Sequence, residues 1–149
     1  STIELEQIAQ KAQKADIKFS LLFTSPPYCS VTDYHADQWL RLWLLGGPET
    51  PKSLQEQYKG RFMSEEAYYN LLDIVFGNCA DIMAEESTIY VRTDVREFTF
   101  NSTFEILIKH FPDHTVKIVS KPFRNKTQTE ICGNRTENSG EVDIIFTKK

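Results

Sequence analysis

The chain of 149 residues contains 40% hydrophobic and 26% charged residues, with six glycines and six prolines. This composition is typical of one globular domain and excludes a disordered or low-complexity chain. No apolar run approaches the roughly 20 residues of a membrane span, which excludes a transmembrane protein. Cys29, Cys79 and Cys132 are too few and too scattered for a disulfide framework or a zinc motif, so we expect a reducing, cytoplasmic compartment.

Charge is distributed unevenly along the chain. The formal net charge of -4 comes from 17 basic and 21 acidic residues. Residues 115–149 nevertheless hold seven basic side chains against four acidic ones, while the rest of the chain holds ten against seventeen. The C-terminal quarter is therefore a basic end on an acidic body. Charge alone fits either a solvated hairpin or an anion-binding surface there.

The hydrophobic pattern predicts helices and strands that alternate along the chain. Apolar residues recur at helical spacing in residues 3–15, 36–45, 68–83 and 102–111. Short β-rich runs occupy residues 17–23, 88–92, 116–119 and 142–146. This order predicts an α/β fold whose sheet is mostly parallel and ends in an antiparallel hairpin. No domain boundary is visible, so residues 1–149 are interpreted as one unit.

Local signals predict where several elements end. Gly46-Gly47-Pro48 is expected to stop the second helix, and Pro112 the fourth. Ser102-Thr103-Phe104-Glu105 matches a capping box, which predicts that the fourth helix begins there. Residues 17–23 are apolar nearly throughout, which predicts a buried strand with both faces covered.

The most informative segment is Ser25-Pro26-Pro27-Tyr28, which directly follows the first predicted strand. Two consecutive prolines fix two φ angles and remove two N–H donors, which leaves a stiff loop with free carbonyls. In an open α/β sheet, ligands bind at the carboxyl ends of the strands. A rigid loop there, offering a hydroxyl, carbonyls and an aromatic ring, suits a flat polar substrate. The alternative interpretation is a stiff turn without a chemical role.

The Ser-Pro-Pro-Tyr segment resembles the active-site motif of DNA methyltransferases that modify exocyclic amino groups. That motif reads Asp, Asn or Ser, then Pro-Pro and an aromatic residue. The Ser form is similar to that of the enzymes that make N4-methylcytosine, whereas the N6-adenine enzymes more often carry Asp or Asn. The order of elements also resembles the family's catalytic half, over nearly the whole chain. The resemblance implies a partial Rossmann-like sheet, S-adenosylmethionine as the cofactor and DNA as the partner.

The resemblance also implies a role for each residue of the motif. Ser25 Oγ and the Pro26 carbonyl would accept the hydrogens of the amino group and aim the nitrogen lone pair at the incoming methyl group. Pro27 would keep the loop rigid, and Tyr28 would stack on a base flipped out of the duplex. This chemistry requires no covalent nucleophile, so Cys29 is assigned to packing.

One part of the family's pattern is missing from this sequence. The family binds S-adenosylmethionine through a Gly-rich loop, and the chain contains no Gly-x-Gly. We therefore expect a complementary Gly-rich half, as a separate chain or another segment, or a homo-oligomer. Without such a neighbour, the strand at 17–23 would be an exposed apolar edge.

Further candidate contacts lie outside the motif. Lys121, Arg124 and Lys126 would contact phosphates from the loop between the last two strands, unless that loop is merely solvated. Trp39 would line the base pocket, although packing in the core is the favoured alternative. The histidines of residues 33–37 and 110–114 are assigned to helix ends, and no metal site is predicted.

Two rival functions remain at this point. The same geometry suits adenine N6 or another amino group, since cytosine and adenine both present an amino group beside a ring nitrogen. The second rival is a methyltransferase-like subunit that is itself not catalytic and that assembles with an active partner. No membrane partner is expected.

Overall fold

A computed structural model describes residues 2–29, 34–50, 64–122 and 140–149 of the chain. The helices of these residues are α1 (Thr2–Lys14), α2 (Tyr34–Leu44), α3 (Glu65–Ala80) and α4 (Glu97–His110). Their strands are β1 (Phe19–Thr24), β2 (Met83–Asp94), β3 (Thr115–Pro122) and β4 (Gly140–Lys148). In this part of the chain, no helix has the length and apolar character needed to cross a membrane.

The strands form one mixed sheet in the order β1-β2-β4-β3. Strand β1 pairs parallel with β2, and β4 pairs antiparallel with both β2 and β3. Three strands therefore run in the same direction, and β4 is inserted between two of them in the opposite one. This confirms the predicted α/β fold with mostly parallel strands and an antiparallel C-terminal hairpin. The segment that joins β3 to β4 lies outside the described residues.

The hydrophobic core lies between one face of the sheet and the helices α3 and α4. Alternate residues of β2 and β4 point into it because successive side chains of a strand face opposite sides. The buried core residues of these four elements include Tyr68, Leu72, Phe76, Ile106, Leu107, Ile89, Val91, Val142, Ile144 and Phe146. Helix α1 forms a smaller cluster, in which Ala9 and Ala12 pack near Ile82. The core thus fixes β2 and β4 as the rigid centre of the sheet.

Strand β1 differs from the predicted strand with two covered faces. It lies at one edge of the sheet, and its side chains at Phe19, Leu21 and Phe23 are 42%, 60% and 71% exposed. Leu22 and Thr24 on the other face are half-buried. The prediction of burial is wrong for the described residues, since none of their elements covers the first face. The structure instead contains the exposed apolar edge that we expected in the absence of a neighbouring strand.

The predicted start of α4 is also wrong. The helix begins at Glu97, and Ser102 lies inside it as a buried residue instead of capping it. The turn before the helix is held by Asp94, whose Oδ1 accepts the backbone N–H of Arg96 at 3.1 Å. The Asp94 carboxylate also accepts from the Arg96 side chain at 2.6 Å. Asp94, three residues before Glu97, therefore sets the boundary that the capping-box pattern misplaced.

The predicted end of α2 is confirmed. Gly46 has a φ of +87°, a conformation that favours glycine. The backbone N–H of Gly47 donates to the Leu42 carbonyl at 2.8 Å, and a Cβ on Gly47 would lie 2.6 Å from that oxygen. The two glycines thus permit the tight turn that closes the helix.

Two isoleucines of α4 give a matched test of the core. Ile106 is fully buried, whereas Ile108 is 45% exposed on the same helix. Ile106→Ala should lower the free energy of unfolding by about 2–5 kcal/mol, because it removes transfer free energy and leaves a cavity. Ile108→Ala should change it by about 0.5 kcal/mol or less. Urea unfolding followed by circular dichroism measures both, and equal losses would contradict this placement of the core.

Candidate functional site

Four chain segments meet at the end of the sheet where β1, β2 and β3 have their carboxyl ends, here called the carboxyl edge. The segment from Ser25 to Tyr28 follows β1, and the turn at Asp94 follows β2. Strand β3 ends and strand β4 begins at the same edge, where Pro122 pairs with Gly140. Because β1, β2 and β3 are parallel, this is the edge at which their carboxyl ends meet, the position where open α/β sheets bind ligands.

The Ser-Pro-Pro-Tyr segment forms an extended loop directly beyond β1. Ser25 is exposed, Pro26 is buried, and Pro27 and Tyr28 are half-buried. The side chain of Cys29 is buried in the core, as its assignment to packing predicted. The loop is therefore anchored at its far end and presents the Ser25 hydroxyl outward.

The hydroxyl group of Tyr28 is held from across the sheet. It donates to Oε1 of Glu141, on strand β4, at 3.2 Å. Burial of the ring, followed by the negative charge of Glu141, raises the pKa of Tyr28 from 10.0 to about 12. Tyr28 is consequently a neutral, oriented phenol at physiological pH.

Glu141 belongs to a polar network that extends down the sheet. Its Oε2 lies 3.6 Å from Nη1 of Arg92 on β2. Arg92 also donates to both carboxylate oxygens of the buried Asp143, at 2.7 and 3.2 Å, and to the Tyr90 hydroxyl at 3.1 Å. The hydrogen bonds to Asp143 raise the pKa of Arg92 far above its ordinary value. A permanent positive charge is thus fixed behind Glu141.

Arg96 holds the other end of the motif loop. Its Nη2 donates to the carbonyl oxygen of Cys29 at 2.7 Å, while its Nε is paired with Asp94 at 2.6 Å. The Asp94–Arg96 turn beyond β2 therefore fixes the backbone just after Tyr28. The loop is tied at both the Tyr28 side chain and the Cys29 backbone.

Sequence reasoning did not find Glu141, Arg92, Asp143 or Arg96. A signal was present in the charged residues that interrupt otherwise β-rich runs, such as Arg92 in Val91-Arg92-Thr93 and Asp143 in Val142-Asp143-Ile144. A charge at such a position requires a partner when its strand is central. The identity of the partner depended on the register between β2 and β4, which pairs Arg92 with Asp143.

Trp39, the first of the other predicted contact residues, lies away from this network. The Trp39 indole N–H donates to the Pro48 carbonyl at 3.0 Å, and its ring stacks on Trp43 at 6.4 Å between centroids. Both contacts are local to α2 and its end. Trp43 is 44% exposed and Trp39 is half-buried, so the favoured alternative, packing in the core, is wrong.

Lys121 lies on β3 at the carboxyl edge, where it pairs with Glu141 in the strand register. Arg124 and Lys126 lie outside the described residues.

The histidine-rich segment at 110–114 lies at the opposite end of the strands, just before β3 begins. Helix α4 ends at His110, as predicted, and its Nε2 lies 2.7 Å from Asp73. His114 pairs with Ser87 at 3.1 Å, and burial lowers the pKa of His114. A cavity of about 300 Å³ lies beside these residues. Across the described parts of the chain, no three His, Cys, Asp or Glu side chains are grouped to hold a metal ion.

Comparisons with known proteins identify the fold. The structure of the M1.HpyAVI–SAM complex matches with a TM-score of 0.52 at 10% identity, over 97% of this chain and 50% of that one. The chain has a methyltransferase-type fold. SMU.776, a proposed methyltransferase complexed with SAH, matches with a TM-score of 0.47 at 12% identity, over 95% of this chain and 29% of its own. A proposed SAM-dependent methyltransferase from Streptococcus mutans gives 0.47 at 13% identity, over 95% and 28%.

Of these three likenesses, we base the conclusion about the fold on the first alone, because the TM-scores of the other two are below 0.5. The present chain spans half the length of the first matched chain and less than a third of the other two. No protein-family model matches the chain, and no curated protein matches it.

The ionisation of Tyr28 tests the geometry of this site. Glu141→Gln removes the negative charge that opposes the phenolate, so the Tyr28 pKa should fall below about 12 while burial keeps it above 10.0. Because the native pKa exceeds the ordinary value, the hydrogen bond stabilises the fold fully below pH 10 and is lost as the pH rises toward 12. Absorbance at 295 nm, with the Tyr28→Phe titration subtracted, measures the pKa.

Glu85 supplies the control for this titration. Its side chain is 83% exposed and lies near the start of β2, at the end of the strands that is opposite to Tyr28. Glu85→Gln should leave the Tyr28 pKa unchanged. An unchanged pKa in Glu141→Gln would contradict the contact between Tyr28 and Glu141.

Proposed function

We propose that the chain is the catalytic half of an S-adenosylmethionine-dependent DNA methyltransferase that modifies the exocyclic amino group of a flipped base, with cytosine N4 as the favoured target. The observation that carries the proposal is the exposed Ser25 hydroxyl beside a tethered Tyr28, at the carboxyl edge of a methyltransferase-type sheet. A stiff turn without a chemical role would not require Glu141 on β4 and Arg96 in the turn after β2 to hold it.

The residues present suit the activation of an amino nitrogen. Such a nitrogen is a poor nucleophile because its lone pair is delocalised into the ring. If Ser25 Oγ and the Pro26 carbonyl accept its two hydrogens, the nitrogen moves toward tetrahedral geometry and the lone pair becomes available. Tyr28 has a ring that can stack on the base while its hydroxyl stays bonded to Glu141. Binding energy is thereby used to orient the reacting atom.

S-adenosylmethionine would supply the methyl group, and the described residues beside β1 do not fit it by themselves. The outward side chains of β1 are Phe19, Leu21 and Phe23, which offer no hydrogen bond to a charged cofactor. The sequence contains no Gly-x-Gly loop. We therefore assign cofactor binding to a complementary Gly-rich half, either a separate chain or another segment.

The same exposed strand is the surface that this half would cover. Strand β1 has one edge paired to β2 and the other open among the described residues. Its exposed apolar face continues onto Tyr90, whose ring stacks on Phe23 at 4.8 Å between centroids. Burial of these side chains by a neighbouring strand and helix would remove an aggregation-prone edge. A homo-oligomer through the same edge is the alternative.

DNA contact is proposed for the basic stretch of sequence that starts at the end of β3. Lys121 begins it at the carboxyl edge of the sheet, beside the end of the network around Glu141. Arg124 and Lys126 follow in the sequence. Phosphate contacts by these side chains would position a duplex without reading its sequence.

Substitution of Ser25 tests the enzymatic function. Ser25→Ala should lower methyl transfer in the assembled protein by about 10²–10³-fold, because it removes one acceptor aimed at the transition state. Assembly should be retained, since Ser25 is exposed. Radiolabelled methyl transfer to DNA measures the rate, and mass spectrometry of the product distinguishes cytosine N4 from adenine N6. Unaltered turnover would instead favour a subunit that is not catalytic.

Cofactor binding tests the division of labour. The 149-residue chain alone should bind S-adenosylmethionine weakly or not at all, because its described residues supply no cradle for the cofactor. Isothermal titration calorimetry of the chain with and without its complementary half measures this. Binding by the chain alone with a dissociation constant of about 1–10 μM, roughly 7–8 kcal/mol, would contradict the proposed split.

A further inference from the structure

The turn between β2 and α4 is organised by one aspartate. Asp94 is 7% exposed, and its Oδ1 accepts the backbone N–H of Arg96 at 3.1 Å. Its Oδ2 accepts Nε of the Arg96 side chain at 2.6 Å. Because both carboxylate oxygens accept from the same residue, the guanidinium of Arg96 is held in one orientation.

The start of α4 does not require an arginine side chain. The bond to Asp94 Oδ1 uses only the backbone N–H of Arg96, which any residue except proline provides. Arg96 is the N-cap residue of α4, yet within the described part of the chain its side chain makes no capping hydrogen bond. Its contact with Thr99 Oγ1 in the first turn is long, at 3.5 Å. The shortest contact of the guanidinium beyond Asp94 is instead with the Cys29 carbonyl, at 2.7 Å.

The contact with Cys29 fixes the far end of the loop from Ser25 to Tyr28. Cys29 lies 67 residues before Arg96, and hydrogen bonds from a charged donor are roughly twice as strong as neutral ones. The near end of the loop is fixed by β1, which pairs with β2. The two prolines restrict the φ angles between these ends. Few backbone rotations therefore remain by which the loop can move relative to β2.

We propose that Arg96 is a positioning residue for methyl transfer, which acts through the Cys29 carbonyl to hold the loop from Ser25 to Tyr28 in a fixed place beside β2. This inference rests on the proposed function. A loop that orients a reacting nitrogen must itself be held, because a displacement of about 1 Å can lower the rate about 100-fold. Asp94 contributes indirectly, since it orients the guanidinium.

A second ion pair on α4 provides a matched control. Lys109, in the last turn of the helix, donates to both carboxylate oxygens of Asp73 on α3, each at 2.8 Å. Arg96→Met and Lys109→Met each replace a cation by an unbranched apolar side chain and break one ion pair of the same helix. Arg96→Met also keeps the backbone N–H that Asp94 accepts, so circular dichroism should show unchanged helix content in both variants. Of the two, Arg96→Met is the one that removes the contact with Cys29.

The reactivity of the Cys29 thiol measures whether Arg96 holds the loop, independently of any enzymatic activity. Cys29 is 4% exposed, so iodoacetamide reaches its thiol when this segment opens. In the 149-residue chain, Arg96→Met should speed alkylation of Cys29 about 10–100-fold, because a charge-assisted hydrogen bond is lost. Lys109→Met should leave the rate unchanged. Mass spectrometry of the labelled peptides assigns each modified thiol.

Cys79 distinguishes local release of the loop from unfolding of the whole domain. It is 7% exposed on α3, away from the contact between Arg96 and Cys29. Local release of the loop leaves α3 packed, so the alkylation rate of Cys79 should be the same in Arg96→Met as in the wild type. Global unfolding would instead speed the alkylation of both thiols.

Methyl transfer by the assembled protein tests the part of Arg96 in the reaction. Arg96→Met should lower the maximal single-turnover rate about 10–100-fold and change the apparent Kd for DNA less than about twofold, because the reacting group is misplaced while phosphate contacts remain. Arg96→Lys should restore part of the rate, since an ammonium can donate to one partner but lacks the planar fork that reaches both. Lys109→Met should react at the wild-type rate.

The outcomes separate this inference from the proposed function. If Arg96→Met leaves the alkylation of Cys29 or the methyl-transfer rate unchanged, or speeds Cys79 as much as Cys29, the positioning role is overturned and the methyltransferase proposal stands. An equal loss of rate in Lys109→Met also overturns the positioning role, because an ion pair far from the loop would then have the same effect. If Ser25→Ala retains full turnover, the proposed function fails and the part of Arg96 in methyl transfer fails with it, even where alkylation shows that Arg96 holds the loop.

Discussion

The hydrogen bond between Tyr28 and Glu141 joins the two halves of this site. It links a loop after the first strand to the beginning of the last strand, across the carboxyl edge of the sheet. It depends on the insertion of β4 between β2 and β3, which brings Glu141 opposite Asp94. If β4 lay at the outer edge instead, Glu141 would be separated from the motif by at least one more strand spacing of about 4.8 Å.

The position of the network in the sheet explains why it is rigid. Strands β2 and β4 have one face in the core, so their backbones cannot move without disrupting the packing of Ile89, Val91 and Ile144. The opposite face carries Arg92 and Glu141, which reach the motif loop. The loop from Ser25 to Tyr28 is in this way supported by strands that are packed into the core, while its own serine stays exposed.

Strand β1 has the opposite character. It positions the motif through its pairing with β2, yet Leu21 and Phe23 leave most of their side-chain surface exposed. An apolar edge strand is unfavourable for an isolated domain. The loop with Ser25 directly follows this exposed edge strand, so a neighbour that covered β1 would also approach Ser25.

The sequence alone determined the elements and their order, because hydrophobic periodicity and glycine or proline breaks act over a few residues. It also placed Ser25-Pro26-Pro27-Tyr28 at the end of a strand, since two prolines restrict the backbone wherever they occur. The start of α4 was misplaced because the carboxylate of Asp94 and the backbone and side chain of Arg96, all upstream of the helix, set it more strongly than the local Ser102 pattern. Only the tertiary structure decided that Glu141 and Arg96 hold the motif, because strand order and register bring together residues that are distant along the chain, and no local pattern encodes that register.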